Sequence, residues 1–571
     1  MILLVAINAK YIHSNLAVHS LKASAGKFTG EVELAEFTIN QQKDYILESV
    51  FRSKPSVLCF SCYIWNISYV ESIAKEFHKL APDVPIWLGG PEVSFEVKDF
   101  LKKHSYVKGI MIGEGEETFR ELCGYYLEGG ELGKVSGLAY REEGEKLRFT
   151  PPREEMNLSS LPFCYDHLEE YSNRIIYYES SRGCPFSCSY CLSSVDKKLR
   201  FRNLELVKEE LSFFLDRKVP QVKFVDRTFN CDHRHAQAIW RFIKEHDNGV
   251  TNFHFEISAD LLKDEEVELL GSLRPGLVQL EIGVQSTKLE TIREIHRSMN
   301  LERLKEVVTK IHSVGNINQH LDLIAGLPLE GYESFRRSFD EIYALWSEQL
   351  QLGFLKVLKG SYLYEHADEY GILCHDEPPY EVLSTKWLSY EELLRIKKVE
   401  EQLEIYYNSG QYEVTMKVLY PVTGSAFDFY LKLGEFYAKN GYLGMQHSRI
   451  RRCEILLDFL TTEEFWMGRR KGLGATQEEV ISVVRESLIF DLYERENCKT
   501  RPAWAPDPKG FREETHRLCI NGKLSHLEPF HYLFPDKRDI GLSELPQRRE
   551  KPVWMLFDYE SHTHTRILSL Q

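Results

Sequence analysis

The chain has 571 residues, of which 43% are hydrophobic, and a formal net charge of −15. That length suits about three or four domains. The acidic total argues against RNA or DNA as substrate, since nucleic-acid binders usually carry a basic face, and no apolar run reaches the about 18 residues that a membrane-spanning helix needs.

Residues 1–130 alternate strands and helices. Strands are expected at 2–9, 32–39, 56–63, 86–89 and 109–112, and helices at 68–80 and 116–127. The first run, Ile2-Leu3-Leu4-Val5-Ala6-Ile7, reads as a buried strand rather than a signal peptide. Its unbroken apolar character suits a parallel sheet covered on both faces. Repeated βα units make a doubly wound, Rossmann-like sheet, whose ligands sit beyond the carboxyl ends of the strands. Those ends carry Tyr11 and His13, then Ser61-Cys62-Tyr63, then Gly89-Gly90-Pro91-Glu92-Val93, then Gly113-Glu114-Gly115-Glu116. Paired glycines at two strand ends let backbone approach a large flat ligand. No G-x-G-x-x-G follows the first strand, which disfavours a dinucleotide. Cys59 and Cys62 form a C-x2-C inside an apparent buried strand, not at a helix start, so they read as core before redox pair. The scattered cysteines are those of a reduced, cytoplasmic protein.

Residues 131–170 read as a connection. Segments 135–140 and 147–149 flank a Glu143-Gly144 turn as a hairpin, and Pro151-Pro152 and further turn formers follow up to Pro162. No chemistry is assigned there.

Residues 171–370 repeat the βα pattern six times, with strands at 175–179, 222–225, 253–257, 277–284, 317–323 and 352–357 and helices including 203–215, 300–312 and 332–346. A parallel barrel, complete or partial, is expected, with its chemistry at the carboxyl ends of the strands. The first strand leads into Arg182-Gly183-Cys184-Pro185-Phe186-Ser187-Cys188-Ser189-Tyr190-Cys191. Soft thiolates at C-x3-C-x2-C suit an iron–sulfur cluster, and three of them leave one iron of a four-iron cubane open to a substrate or cofactor. The alternatives are a zinc site, which would call for a fourth ligand and a second C-x2-C pair nearby, and three unrelated cysteines. Gly183 and Pro185 turn the chain sharply around the metal.

The spacing, with Tyr190 before the last cysteine, resembles the signature of radical SAM enzymes. The resemblance implies that Cys184, Cys188 and Cys191 hold a four-iron four-sulfur cluster, that the open iron binds S-adenosylmethionine, and that reductive cleavage gives a 5′-deoxyadenosyl radical. It also implies a reducing electron donor such as flavodoxin or ferredoxin. Six units match the open three-quarter barrel of that family. The family's Gly-Gly-Glu after the second strand is missing; Asp226 and Thr228 stand in its place. Glu256 is on the third strand. Glu281 and Gln285 sit where relatives bind the ribose, and Arg297 where a base pairs the SAM carboxylate. Ile324 and Gly326 fit the region whose backbone meets the adenine, although Asp322 replaces its first Gly and Glu330 falls one position late. The bland reading of each such residue is a satisfied barrel-mouth hydrogen bond.

The glycine turns of the first region resemble the cobalamin-binding domain found ahead of the barrel in many radical SAM proteins. The implied cobalamin contacts are Tyr11, His13, Ser61, Tyr63, Gly89, Gly90, Pro91, Glu92, Val93, Gly113, Glu114 and Gly115. The D-x-H-x-x-G of mutases is absent: Tyr11 stands in place of its Asp and Leu16 in place of its Gly. His13 is therefore expected as a hydrogen-bond partner or loop residue, not as the ligand of cobalt.

Residues 371–571 are expected to form a mainly helical domain of unknown function after the break at Asp376-Glu377-Pro378-Pro379, with helices at 389–407 and 425–440 and a strand at 552–559 paired with 531–534. This region resembles an uncharacterised domain attached to one group of cobalamin-dependent radical SAM proteins. Basic clusters at Arg449-Ile450-Arg451-Arg452 and Arg469-Arg470-Lys471 read as solvated helix faces. The combined expectation is a cobalamin-dependent radical SAM enzyme that methylates an unactivated carbon of a small molecule or peptide. Alternatives are rearrangement, cyclisation or oxidation without methyl transfer, and a non-catalytic cobalamin or redox sensor. A methylthiotransferase would need three further cysteines in the N-terminal region for a second cluster; residues 1–130 have only Cys59, Cys62 and Cys123, and the Gly-Gly-Pro pattern does not fit.

Overall fold

The computed structural model describes all residues except 143–145, 166, 167, 172, 468, 470–473, 499, 508–524, 536–538, 540, 560–562 and 568–571. The Glu143-Gly144 turn and the Arg470-Lys471 part of the second basic cluster lie outside the described residues. The chain forms two compact units. The first comprises Met1–Leu280, Ile295–Ser298 and Leu355–Thr385; the second comprises Glu281–Glu294, Met299–Phe354 and Lys386–Gln571.

The first unit opens with β1 (Ile2–Asn8), α1 (Leu16–Ser24), β2 (Val32–Thr38), α2 (Lys43–Arg52), β3 (Val57–Ser61), α3 (Ile67–Leu80), β4 (Ile86–Gly89), α4 (Val97–Lys103), β5 (Gly109–Met111) and α5 (Glu116–Glu128). β6 (Leu138–Arg141) and β7 (Leu147–Phe149) complete a seven-stranded sheet of order β2-β1-β3-β4-β5-β6-β7. β1 to β5 pair in parallel, and β6 and β7 add on antiparallel. The hairpin read as part of a connection is thus the edge of this sheet. Alternate residues of β1 go to opposite faces: Leu3, Val5 and Ile7 pack with α2, α3 and α4, and Ile2, Leu4 and Ala6 with α1 and α5. A strand with helices on both sides has no wet face, which is why its sequence shows no polar alternation. Cys59 and Cys62 fall in these two different cores and are free thiols. Val93 is fully buried in the first of them, so its side chain is core packing and not a wall of a ligand site.

The chain continues through β8 (Ile176–Tyr178), the short β9 (Ser181–Arg182) and β10 (Arg200–Phe201), α6 (Leu204–Asp216), β11 (Gln221–Phe224), α7 (His233–Glu245), β12 (Asn252–Ile257), α8 (Asp264–Gly271), β13 (Val278–Gln285), α9 (Leu289–Glu294), α10 (Leu301–Val314), β14 (Asn318–Ala325), α11 (Tyr332–Tyr343) and β15 (Gln349–Phe354). β8 and β11 to β15 form a six-stranded sheet of order β15-β14-β13-β12-β11-β8, with β8 and β15 as its edges. Its strands are parallel where β8, β11 and β12 meet in the first unit and where β14 and β15 meet in the second; β13 begins in one unit and ends in the other. This is the open parallel sheet of a partial barrel. The helix starts follow local chemistry: Asn203 caps α6 by accepting from the Glu205 amide, and Asn300 caps α10 by accepting from the Arg303 amide.

Beyond the barrel lie α12 (Tyr362–Glu365), β16 (Leu373–Cys374) and β17 (Val382–Ser384), all in the first unit. The second unit then adds α13 (Tyr390–Leu403), α14 (Glu413–Leu419), α15 (Ala426–Lys439), α16 (Arg449–Phe459), α17 (Glu463–Met467) and α18 (Gln477–Arg495). Leu393, Ile396, Val399 and Leu403 form the buried stripe of α13. Arg451 on α16 pairs with Glu454, and Arg449 with Glu496, as a solvated helix face should. The chain ends in an antiparallel sheet of β18 (Ser525–Phe530), β19 (Val553–Asp558) and β20 (Thr563–Ile567). β19 pairs with β18, not with 531–534 as the sequence suggested. The pairing partner carries His526, Glu528 and Pro529, which hid its strand character.

Glycine has different work at the two sheet-end turns. Gly90 has φ +115°, and a Cβ there would lie 2.5 Å from the Cys62 carbonyl oxygen; Gly113 has φ +78° with nothing within 4 Å of its Cβ position. Gly90→Ala is therefore expected to lower the melting temperature clearly more than Gly113→Ala, which pays only the left-handed strain of about 1 kcal/mol. Equal shifts in differential scanning calorimetry would contradict this ranking.

Candidate functional site

The cysteine run is a loop between the short antiparallel strands β9 and β10, anchored at its base by a buried carboxylate. Asp226, fully buried just after β11, accepts from the Ser180 amide at 3.0 Å and from the hydroxyls of Ser180 and Ser181, both at 2.6 Å. Gly183 follows with φ +92°, and a Cβ would meet the Lys198 carbonyl oxygen at 2.4 Å, so only glycine brings the two arms of the loop together here. The Cys184 amide donates to the Asp196 carbonyl, and the Cys191 amide to the Cys188 carbonyl. Ser189 is held from both sides: its amide donates to the Ile295 carbonyl, and its carbonyl accepts from the Leu363 amide.

The three thiols of the run are neighbours. Burial raises the Cys184 pKa, and the nearby Cys191 and Cys188 raise it further. Cys184 Sγ lies 3.9 Å from the Thr228 hydroxyl, and Arg297 Nη1 lies 4.0 Å from Cys188 Sγ and 3.3 Å from the Tyr190 hydroxyl. Burial works against the Arg297 charge, but Tyr190 and Cys188 outweigh it. Among the described residues, no group of three or more His, Cys, Asp or Glu side chains converges as it would around one metal ion. Three soft thiolates on one loop suit an iron–sulfur cluster. The Thr228 hydroxyl partly offsets the rise that burial imposes on Cys184.

A cavity of about 830 Å³ lies entirely within the first unit. Its walls combine the carboxyl ends of the N-terminal sheet with the start of the barrel. His13, Ser61, Tyr63, Gly89, Gly90, Pro91, Gly113, Glu114, Gly115 and Glu256 of the sequence candidates line it; Tyr11, Glu92 and Val93 are not among its lining residues. Tyr11 is 63% exposed beneath the Arg174 guanidinium. His13 Nδ1 is 2.7 Å from the Tyr177 hydroxyl, and burial, with Lys10 and Lys223, lowers its pKa, which keeps the ring neutral. Tyr63 stacks on Trp65 at 4.4 Å, and burial pushes its phenol up to about 12. The Ser61 hydroxyl accepts from Asn15. Glycine backbone, flat aromatic rings and amide side chains together fit a corrin, a wide ring with apolar faces and amide edges.

Charges around the cavity are paired within the chain. Arg182 meets Glu114, Glu116 and Glu179, at 3.3, 2.8 and 2.7 Å. Arg200 meets Glu114 at 2.6 Å and Asp196 at 2.9 Å. Burial opposes ionisation of Glu114, yet these arginines and the Met156 amide hold its carboxyl below the usual range. Arg202 meets Glu210 at 2.5 Å, and Lys223 lies 3.9 Å from Glu256.

The other sequence candidates belong to the second unit. Glu281 lies on β13, which ends in Gln285, whose φ is +72° and whose buried Oε1 has no hydrogen-bond partner among the described residues. Ile324 is on β14, followed by Gly326 at φ +93°. Glu330 accepts from Ser286 at 2.7 Å and Ser338 at 3.0 Å, and burial pushes its carboxyl up to about 7.

Sequence reasoning missed Pro162, Phe163, Cys164 and Tyr165, assigned to a connection, and Asn15, Trp65, Met111, Tyr177, Lys223 and Arg227, all of which line the cavity. A signal existed for some: Tyr177, Glu179, Lys223 and Val225 occupy the every-second-residue positions that face one side of their strands.

With this geometry in place, the comparisons are decisive at the level of domains. The B12 binding domain family matches residues 2–123, the radical SAM superfamily residues 178–342, and a protein family of unknown function, DUF4080, residues 368–532. The chain carries a B12-binding domain and a radical SAM domain. Its cofactors are accordingly a four-iron four-sulfur cluster, S-adenosylmethionine and cobalamin. Among curated relatives, a 2-(S-pantetheinyl)-carbapenam-3-carboxylate methyltransferase of Streptantibioticus cattleyicolor is 28% identical over 318 residues, covering 49% of this chain and 44% of that protein. The cobalamin-dependent radical SAM methyltransferase TokK of Streptomyces tokunonensis is 25% identical over 341 residues, covering 56% and 50%. The chain thus spans about half the length of these relatives. The solved cobalamin-dependent S-adenosylmethionine radical enzyme OxsB shares the fold with a TM-score of 0.58 at 16% identity, over 86% of this chain and 79% of that one. No helix among the described residues of this radical SAM protein is long and apolar enough to cross a membrane.

Burial pushes the Asp226 carboxyl up to about 6, against the hydrogen bonds from Ser180 and Ser181. The folded state therefore prefers the protonated form. That contribution is complete below pH ~4 and is lost as the pH rises to about 6, by up to about 3 kcal/mol. The melting temperature of the wild type minus that of Asp226→Asn should fall across this window, and a constant difference would show that Asp226 is not the titrating group.

Proposed function

We propose that this radical SAM enzyme methylates an unactivated carbon of a small molecule or peptide, with Cys184, Cys188 and Cys191 as the cluster ligands. The observation that carries the reading is the composition of the cavity. The strand-end turns of the B12-binding domain form part of its wall, and Arg182, Gly183, Leu192 and Ser193 of the cysteine loop form another. When bound, the cluster with S-adenosylmethionine supplies a carbon radical, and cobalamin supplies a transferable methyl group.

The chain's own residues bind, orient and exclude water. Asp226 fixes the base of the cysteine loop, and Gly183 closes it. Arg297, near Cys188 and Tyr190, is the candidate partner of the carboxylate of S-adenosylmethionine; Thr228, beside Cys184, and Glu256, in the cavity wall, are the further polar candidates from the first unit. For the corrin, Gly89, Gly90, Gly113 and Gly115 admit close approach of backbone. Ser61, Tyr63, Pro91 and Glu114 line its wall, and the neutral His13, held by Tyr177, presents a ring without serving cobalt. Tyr11 and Glu92 act from outside the wall. The enzyme also requires a reducing electron donor, for which a flavodoxin or ferredoxin is the fitting class.

Anaerobic reconstitution with iron, sulfide, hydroxocobalamin and S-adenosylmethionine, supplied with electrons by dithionite or a reduced flavodoxin, tests this. The wild type should form 5′-deoxyadenosine, and the Cys184→Ser, Cys188→Ser, Cys191→Ser triple variant should lose both iron and that product. S-adenosylhomocysteine formed alongside it supports methyl transfer. Deoxyadenosine without S-adenosylhomocysteine in the presence of turned-over substrate would replace methylation by rearrangement, cyclisation or oxidation.

A further inference from the structure

The family of unknown function begins at residue 368, yet Leu355–Thr385 belongs to the first unit, apart from the helices that make up most of that region. Besides its contacts with Ser189 and His296, through Leu363 and Tyr362, this segment meets one loop of the N-terminal sheet repeatedly, the turn after β4 that supplies Gly90, Pro91, Ser94 and Phe95 to the cavity wall. Glu92 in this loop is 8% exposed. Its carboxylate accepts a hydrogen bond from the Tyr380 hydroxyl, and Lys359 Nζ lies 3.6 Å away while also sitting 5.2 Å from the Tyr380 ring centre. Four residues on, Glu96 accepts from the Tyr364 hydroxyl at 2.5 Å. Between these ties, Phe95 packs on Gly360, where φ is +82° and a Cβ would lie 2.2 Å from the ring. Tyr380 itself is held at φ +56°, a costly conformation for an aromatic residue, with its amide donating to the Glu377 carbonyl and its carbonyl accepting from the Val357 amide.

We propose that Leu355–Thr385 is a clamp that holds the loop after β4 in its corrin-binding shape, with Tyr380 as the positioning residue, so that the opening part of the region of unknown function serves the cobalamin site. The inference rests on the reading that this cavity takes cobalamin. The loop is anchored at Val93 in the core and by the Ser94 hydroxyl on the Gly90 carbonyl, and Leu355–Thr385 adds ties at Glu92, Phe95 and Glu96. Glu92, Phe95 and Glu96 are fastened to a segment that contributes nothing to the cavity wall. If the fastening is loosened, the binding-competent shape is populated less, and the apparent affinity falls by that fraction. Reciprocally, bound corrin must hold the clamp closed.

The test uses the full chain with its cluster reconstituted, titrated anaerobically with hydroxocobalamin and followed by equilibrium dialysis and corrin absorbance. Tyr380→Phe, which removes one hydroxyl donor to a carboxylate, should weaken binding about tenfold, and Tyr364→Phe by less. In the wild type, hydroxocobalamin should slow amide hydrogen exchange across residues 357–380, which do not line the cavity; a merely structural tyrosine would shift the melting temperature without this effect. Wild type that binds no hydroxocobalamin would defeat the reading of the cavity itself. Wild type that binds it while both tyrosine variants bind within twofold, with exchange over 357–380 unchanged, would overturn the clamp alone. Should Tyr380→Phe not fold, Tyr364→Phe and the wild-type exchange experiment still decide.

Discussion

The buried carboxylate of Asp226 sets the position from which the cysteine loop departs. It gathers one amide and two hydroxyls from Ser180 and Ser181, just where the chain leaves β8, and so joins the ends of two adjacent parallel strands. A buried carboxylate without partners is expensive, and satisfied acceptors make the arrangement specific in geometry. The following residue, Arg182, extends the same logic outward through Glu114 and Glu116 at the last glycine turn of the N-terminal sheet. The cysteine loop is therefore fixed to both sheets before any cofactor is considered. Its position depends on hydrogen bonds and ion pairs within one compact unit, not on the apolar cores of the sheets.

What the sequence disclosed follows from which signals are local. Continuous apolar strands such as β1 and β3 need both faces covered, and they were legible because that demand leaves its mark on every residue. Asn300 announced a helix start through capping. Gly183 and Gly90 were legible as turns because no other residue tolerates their backbone. The short helices α1, α2 and α4 were not read, since their amphipathic stripes are brief and set by tertiary packing. The missed cavity residues have a different cause. Phe163 and Tyr165 sit in a stretch whose local composition says only "turn", and their role arises from chain segments brought together over long sequence distances. Val93 shows the converse: it stands beside glycines in a ligand-facing motif, yet its side chain turns into the core. Motif membership marks a backbone path and does not state where each side chain goes.

The net charge of −15 gives a poor account of the site. Arg182, Arg200 and Arg202 each face carboxylates of the same unit at 3.3 Å or less, and their side chains are 20% exposed or less. Such pairs are screened weakly by salt compared with surface pairs, and breaking one leaves a buried charge uncompensated. Their worth is in position: a guanidinium shared among Glu114, Glu116 and Glu179 ties the last glycine turn of the N-terminal sheet to the start of the cysteine loop. The long-range field of the acidic surface governs encounter with partners, whereas the cavity wall is set by these short internal pairs. Exposed Arg227 differs from them. It lies at the end of β11, beside Tyr63, where its positive charge partly offsets the rise that burial imposes on that phenol. The wall thus combines a rigid, charge-balanced portion near the cysteine loop with an accessible cation farther along. A rigid portion suits a cofactor that stays in place, and an accessible cation suits a ligand that comes and goes.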